Sequence, residues 1–262
     1  MVWEDIQRIR ESAPLVHNVT NYVAMNVSAN ALLAVGASPV MAHAVEEVEE
    51  LAAVASALVI NIGTLSPAWV DGMIRGAREA RRCGVPVVLD PVGSGATGYR
   101  TGTAEMLMVE GSPTVIRGNA SEILSLATGE QGTRGVDSVH DAADAAPAAK
   151  RLAERCRCVV SVSGPVDVIV GGDRTIRVHN GHEMMPRVTA LGCVASALTG
   201  AFVAVNRAPL EAAAHAMVLM GVAGEMAAER CSGPASFLVA FIDALYGIRE
   251  SDLAERMRVS GL

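Results

Sequence analysis

The sequence predicts an α/β protein of three layers: a mostly parallel central sheet with helices on both faces. Three observations carry this. Short apolar runs alternate with longer helical patterns through the first two-thirds of the 262 residues. Hydrophobic residues make up 51% of the chain and aromatics only 3%, so Ala, Val, Leu and Gly fill the core, as they do where helices cover a buried parallel sheet. Polar tips at Asn18/Asn21, Asp90, Asn119/Glu122 and Ser163 all fall where an apolar run ends, the edge at which open α/β sheets bind ligands.

Residues 3–12 read as a short helix with Ile6 and Ile9 on one face, broken by Pro14. Residues 15–17 are a strand running into the polar Asn18-Val19-Thr20-Asn21. A helix from 21 or 22 to 35 is closed by Gly36. Residues 38–41 form a short strand and 45–55 an acidic helix whose glutamates face solvent. Buried strands at 57–60 and 85–89 enclose a helix at 67–83. After Asp90-Pro91-Val92-Gly93-Ser94-Gly95 come a helix near 103–109, a strand at 114–116 and a helix opened by Asn119 and Glu122. Residues 129–135 read as a Gly- and charge-rich surface loop. A helix at 142–155 leads to a strand at 159–162 and a hairpin, 166–170 with 175–178, turning at Gly171-Gly172-Asp173. Helices then fill 191–205, 210–229, 235–245 and 250–258. No linker or repeat interrupts the pattern, so one domain over residues 1–262 is expected.

The net charge of −7 with scattered Lys and Arg argues against nucleic acid as a partner. No run of about 20 apolar residues is present, so no membrane span is read. The opening residues carry Glu4, Asp5, Arg8 and Arg10 and no apolar core of a secretory signal. Cys83, Cys156, Cys158, Cys193 and Cys231 show no paired framework, which suits reduced thiols in the cytoplasm. Cys156 and Cys158 lack partners for a metal site.

The stretch from Thr189 to Leu198 carries the chemistry. Thr189 is the expected N-cap of a small-residue helix whose free N–H groups and positive dipole end suit a phosphate. The dipole lowers the pKa of a thiol in that first turn, so Cys193 could be part thiolate; the bland alternative is a buried filler. Asp90 and Glu122 are carboxylates at strand ends, a donor type Mg²⁺ takes together with phosphate and water. Either could instead be local, Asp90 forming a turn and Glu122 capping a helix with Asn119. Arg117 could grip a phosphate or be a surface ion pair.

Four stretches resemble the hydroxyethylthiazole kinase family of ribokinase-like kinases: Pro14 to Val23, Gly36 to Ala44, Leu89-Asp90-Pro91-Val92-Gly93 and Arg117-Gly118-Asn119-Ala120-Ser121-Glu122. The resemblance implies a ribokinase-like fold and ATP-dependent phosphorylation of the hydroxyl of 4-methyl-5-(2-hydroxyethyl)thiazole, a salvage step towards thiamine. It implies Mg²⁺ at Asp90 and Glu122, ATP at Arg117, Ser163 and Gly192, substrate at Asn21, Met41 and Ala190, catalysis at Cys193, and a homotrimer with sites between subunits. One departure stands out. The family usually reads Thr-Gly-Thr-Gly-Cys where this chain has Thr189-Ala190-Leu191-Gly192-Cys193. Ala190 is expected to cost little at negative φ and to be strained in a left-handed conformation. Other readings on the same fold are a kinase of another small alcohol, favoured by the Ala190-Leu191 change, and a non-catalytic thiazole- or nucleotide-binding protein. An ADP-dependent dehydratase of hydrated nicotinamide would want Asp where Cys193 stands.

Overall fold

The computed structural model describes residues 1–129 and 142–261. In chain order the elements are α1 (Val2–Ser12), β1 (Leu15–Val19), α2 (Met25–Val35), β2 (Ser38–Val40), α3 (Val48–Val54), β3 (Ala57–Asn61), α4 (Pro67–Cys83), β4 (Val87–Asp90), α5 (Gly98–Gly111), β5 (Val115–Asn119), α6 (Ala120–Thr128), α7 (Ala142–Cys156), β6 (Val159–Ser163), β7 (Asp167–Gly171), β8 (Arg174–Val178), α8 (Leu191–Val205), α9 (Pro209–Ala228), α10 (Pro234–Gly247), α11 (Glu250–Arg256) and β9 (Val259–Ser260). The strands join one sheet in the order β2-β1-β3-β4-β5-β6-β7-β8-β9. Neighbours are parallel from β2 through β6 and antiparallel from there to β9.

The period-2 alternation of the strands splits the interior into two cores. In β3, Ala57 and Val59 face one side, packed with α1, α2, α8, α9 and α10. Leu58 and Ile60 face the other, packed with α3 to α7. Both faces of the sheet are thus covered, as the alternating pattern predicted.

Local chemistry sets the helix ends. Helix α4 starts where Ser66 Oγ accepts from Trp69 N–H, has Pro67 in its first turn, and stops at Gly84 with φ of 71°. Helix α5 begins earlier than the apolar pattern suggested, because Thr97 caps it and Gly98 and Gly102 lie within it. Helix α2 begins later, at Met25, because Asn21 Oδ1 takes the Ala24 N–H at 2.9 Å and holds a turn before it. The two-residue strand β9 had no readable signal; it pairs with β8. Most of the Gly-rich stretch at 129–135 lies outside the described residues.

One close approach positions the site. A Cβ on Gly200, midway along α8, would stand 2.5 Å from Val59 Cγ2 and 3.1 Å from Val16 Cγ1. Helix α8 therefore rests directly on β1 and β3, which fixes the height of its amino end above the carboxyl edge of the sheet.

Candidate active site

The parallel register puts the polar strand ends side by side. Asn61 at the end of β3 pairs with Asp90 at the end of β4, and Asn119 of β5 with Ser163 of β6. The first turn of α8 brings Cys193 to this edge, and Asn21 arrives from the turn after β1.

These residues form one hydrogen-bonded network. Asn21 Nδ2 donates to Asn61 Oδ1 at 2.7 Å and to Cys193 Sγ at 3.3 Å. Asn61 Nδ2 donates to Asp90 Oδ2 at 2.7 Å, and Ser196 Oγ, one turn after Cys193, donates to the same oxygen at 2.7 Å. Glu122 is held separately: its carboxylate accepts from Gly93 N–H through Oε1 and Asn119 N–H through Oε2, each at 2.8 Å. Asn119 Oδ1 in turn accepts from Glu122 N–H at 3.0 Å. The capping box is therefore real, and it aims the carboxylate at the loop after β4.

Burial dominates the electrostatics. It pushes Asp90 up to about 6, against the opposing pull of Arg117, Ser196 and Asn61. Burial and the Asp90 charge together raise Glu122 to about 7. Two buried carboxylates that resist ionising together are hard oxygen donors that a divalent cation would relieve. No group of three or more His, Cys, Asp and Glu side chains able to hold a metal occurs among the described residues. A pair of carboxylates fits Mg²⁺, which keeps waters and takes its other oxygens from phosphate.

The thiolate expectation for Cys193 is overturned. Burial, then the Asp90 charge, raise the thiol to about 12, and the hydrogen bond from Asn21 with the nearby Asn61 amide only partly opposes this. The helix dipole acts on a thiol facing a carboxylate across a dry gap, and desolvation outweighs it. Cys193 is a neutral thiol at pH 7.

Thr189 is not the cap of α8. It is exposed, and the cap position is Ala190, with φ of 68° and no side-chain hydrogen bond. Ala190 is thus in the left-handed conformation that strains a residue with a Cβ. Leu191 turns into the core beneath α8. The backbone N–H groups ahead of Val194 are left for an anion, since the first helical bond runs from Val194 N–H to Ala190 C=O.

Arg117 is buried and is no surface ion pair; its Nη1 donates to Gly192 C=O at 2.9 Å while its Nε has no partner. A cation with an unmet donor beside an open helix start suits a phosphate. Ser163 Oγ lies on the same edge, 3.4 Å from Gly118 C=O. Met41 follows β2, one strand further from β4, half-buried against the core. The structure therefore bonds Asn21 directly to Cys193 and Arg117 to Gly192, links Asp90 to Asn21 through Asn61, and places Glu122 and Ser163 on adjoining strand ends.

Sequence reasoning missed Asn61, Ser196 and Asp167. Asp167 Oδ1 accepts from Gly164 N–H at 3.0 Å, and burial pushes its carboxyl up to about 7 beside Arg117. Asn61 was readable only as a polar residue ending an apolar run. Ser196, three residues after Cys193, was readable only as a small residue in a helix.

A model of the hydroxyethylthiazole kinase family matches residues 6–251. The chain is 53% identical over 258 residues to a hydroxyethylthiazole kinase of Nitratidesulfovibrio vulgaris (strain Miyazaki F), covering 98% of this chain and 97% of that protein. The solved hydroxyethylthiazole kinase of Pyrococcus horikoshii OT3 superposes with a TM-score of 0.90 at 44% identity, over 100% of this chain and 98% of that one. A ribokinase-like superfamily protein from Enterococcus faecalis shares the fold alone, with a TM-score of 0.63 at 15% identity over 88% of this chain and 86% of that one.

Two stability measurements follow from this geometry. Ala190→Gly removes the left-handed strain and should stabilise the protein by roughly 0.5–1 kcal/mol in urea unfolding, and no gain would contradict the strain. Asp90, raised above its unfolded value of 3.8, costs stability increasingly as the pH rises from there, and the cost is complete above its folded pKa of about 6. With chelator present, Asp90→Asn should therefore be more stable than the parent by roughly 1–3 kcal/mol at pH 8. The gain should vanish by about pH 3, where the carboxyl is protonated in both the folded and the unfolded chain, and a gain independent of pH would count against the buried charge.

Proposed function

The chain belongs to the hydroxyethylthiazole kinase family, and on that premise we propose that it transfers the γ-phosphoryl group of ATP to the side-chain hydroxyl of 4-methyl-5-(2-hydroxyethyl)thiazole, a salvage step towards thiamine. One observation carries the reading. An open helix start, a buried guanidinium and two buried carboxylates converge on the carboxyl edge of the sheet around one neutral thiol.

Phosphoryl transfer asks mainly for positioning and charge neutralisation. Asp90 and Glu122 would hold Mg²⁺, which when bound neutralises charge on the nucleotide phosphates. Arg117 and Ser163 bind those phosphates, and the N–H groups at Gly192 and Cys193 cradle the transferring group. Asn21, Met41 and the backbone at Ala190 receive the thiazole; a thioether against an aromatic ring adds roughly 0.3–1.5 kcal/mol.

Cys193 orients the alcohol. Its thiol keeps its proton at neutral pH, so it is not a resting base. The alcohol oxygen attacks the γ-phosphorus, the bond to the β-phosphate oxygen breaks, and ADP leaves. The hydroxyl proton departs late, to an oxygen of the transferred phosphoryl group, as a loose transition state allows.

The whole chain acts as one kinase domain, supported by the single continuous sheet. A homotrimer is supported by the family and by Tyr22 and Val23, apolar yet 68% and 59% exposed directly beside Asn21. A cytoplasmic location is supported by five cysteines that are all free.

The test is an assay of ADP and phosphorylated thiazole with a panel of small alcohols. Equal yields of ADP and thiazole phosphate are expected; turnover with another alcohol but not this one would sink the reading. In the same assay Cys193→Ala should lower kcat about 10²-fold or more with ATP affinity little changed, while Cys193→Asp supplies a true base and should keep or raise activity. An active Ala variant with a dead Asp variant would make Cys193 packing. Light scattering should show a trimer, and a fully active monomer would contradict the shared site.

A further inference from the structure

Asn61 closes β3 and is 1% exposed. Its amide has every direction assigned by its neighbours. Oδ1 accepts from Gly63 N–H at 2.9 Å and from Asn21 Nδ2 at 2.7 Å. A backbone N–H can only donate, so the bond from Gly63 fixes which side of the amide is oxygen. The nitrogen must then face Asp90 Oδ2, to which it donates at 2.7 Å. Asn21 is locked in the same way, by Ala24 N–H on its oxygen. The loop after β3 clamps the pair, since a Cβ on Gly63 would stand 2.6 Å from Asn21 Nδ2.

The result is a relay of two amides: Asn61 Nδ2 holds the Asp90 carboxylate, Asn61 Oδ1 holds Asn21, and Asn21 Nδ2 donates to the Cys193 sulfur at 3.3 Å. Asn61 thus stands between Asn21 and the carboxylate, bonded to both. No other residue type fits. Asp would set a carboxylate oxygen against Asp90, Ser would not span the gap, and Gln would push the amide one methylene too far.

We infer that Asn61 is a positioning residue for the acceptor side of the reaction, the amide that, through Asn21, holds the Cys193 sulfur at a fixed offset from the Asp90 carboxylate. This rests on the kinase reading above. Ser196 is the natural control, because it donates to the same Asp90 oxygen and has no bond to the sulfur.

Asn61→Ala, Asn61→Asp and Ser196→Ala are compared with the parent for ADP formed, thiazole phosphate formed and thermal melting. Asn61→Asp keeps the shape and both acceptor bonds and sets an oxygen against Asp90 in place of the donor, Asn61→Ala removes the amide without adding charge, and melting shows which variants fold. Both Asn61 variants should lower kcat for thiazole phosphate about 10²-fold, with the KM for ATP little changed and ADP exceeding thiazole phosphate as water replaces a misplaced alcohol. Ser196→Ala should keep the two yields equal. Equal yields of ADP and thiazole phosphate in the Asn61 variants, or an equal excess of ADP in Ser196→Ala, would overturn the inference. A parent that phosphorylates no thiazole would remove the kinase reading itself, and the role of Asn61 with it.

Discussion

A carboxylate buried at the middle of a sheet edge must be satisfied by its neighbours, and the site is arranged around that demand. Asp90 has almost no contact with solvent, and its charge is opposed by burial. Asn61 from the adjacent strand, Ser196 from α8 and the field of Arg117 from β5 answer it. Each comes from a different element, so the charge ties strand and helix ends into one unit. Removing any one donor would leave part of a buried anion uncompensated, the costly case in a protein interior.

The same charge explains the thiol. A helix amino end would favour a thiolate in water, and Cys193 occupies that place. It faces Asp90 in a dry setting, and the outcome there is a neutral S–H that accepts from the Asn21 amide. Such a group can orient an alcohol without competing with the nucleotide for negative space. Positioning and charge stabilisation then remain the main sources of rate, as loose phosphoryl transfer permits.

The fold was largely readable because its signals are local. Runs such as 57–60 and helices such as 67–83 carry their period and their stops in adjacent residues. The errors lay where side chains from elsewhere, or a cap inside an unpromising stretch, decided the boundary. Asn21 delayed α2 by engaging Ala24, and Thr97 advanced α5 through two glycines. In the candidate site, motifs pointed to residues such as Asp90 and Glu122, which the structure brings to one sheet edge, while those defined by register went unnamed. Asn61 matters because β3 and β4 align it with Asp90, a relation 29 residues long that no spacing rule displays. The charge state of Cys193 was likewise invisible, since it depends on what lies across the gap. Ala190 was flagged as a conditional, and only the backbone angle resolved it.

The bare seat of α8 on the sheet has an evolutionary consequence. Where Gly200 meets Val59 and Val16 there is no room even for a methyl group. Raising or tilting the helix to admit a different acceptor would pull Cys193 and Ser196 away from their partners together. Drift in substrate preference is therefore channelled away from the helix and into the few residues ahead of it. The Ala190-Leu191 pair sits in that permissive stretch, where a lineage can try a new pocket lining while the catalytic frame behind it stays in register.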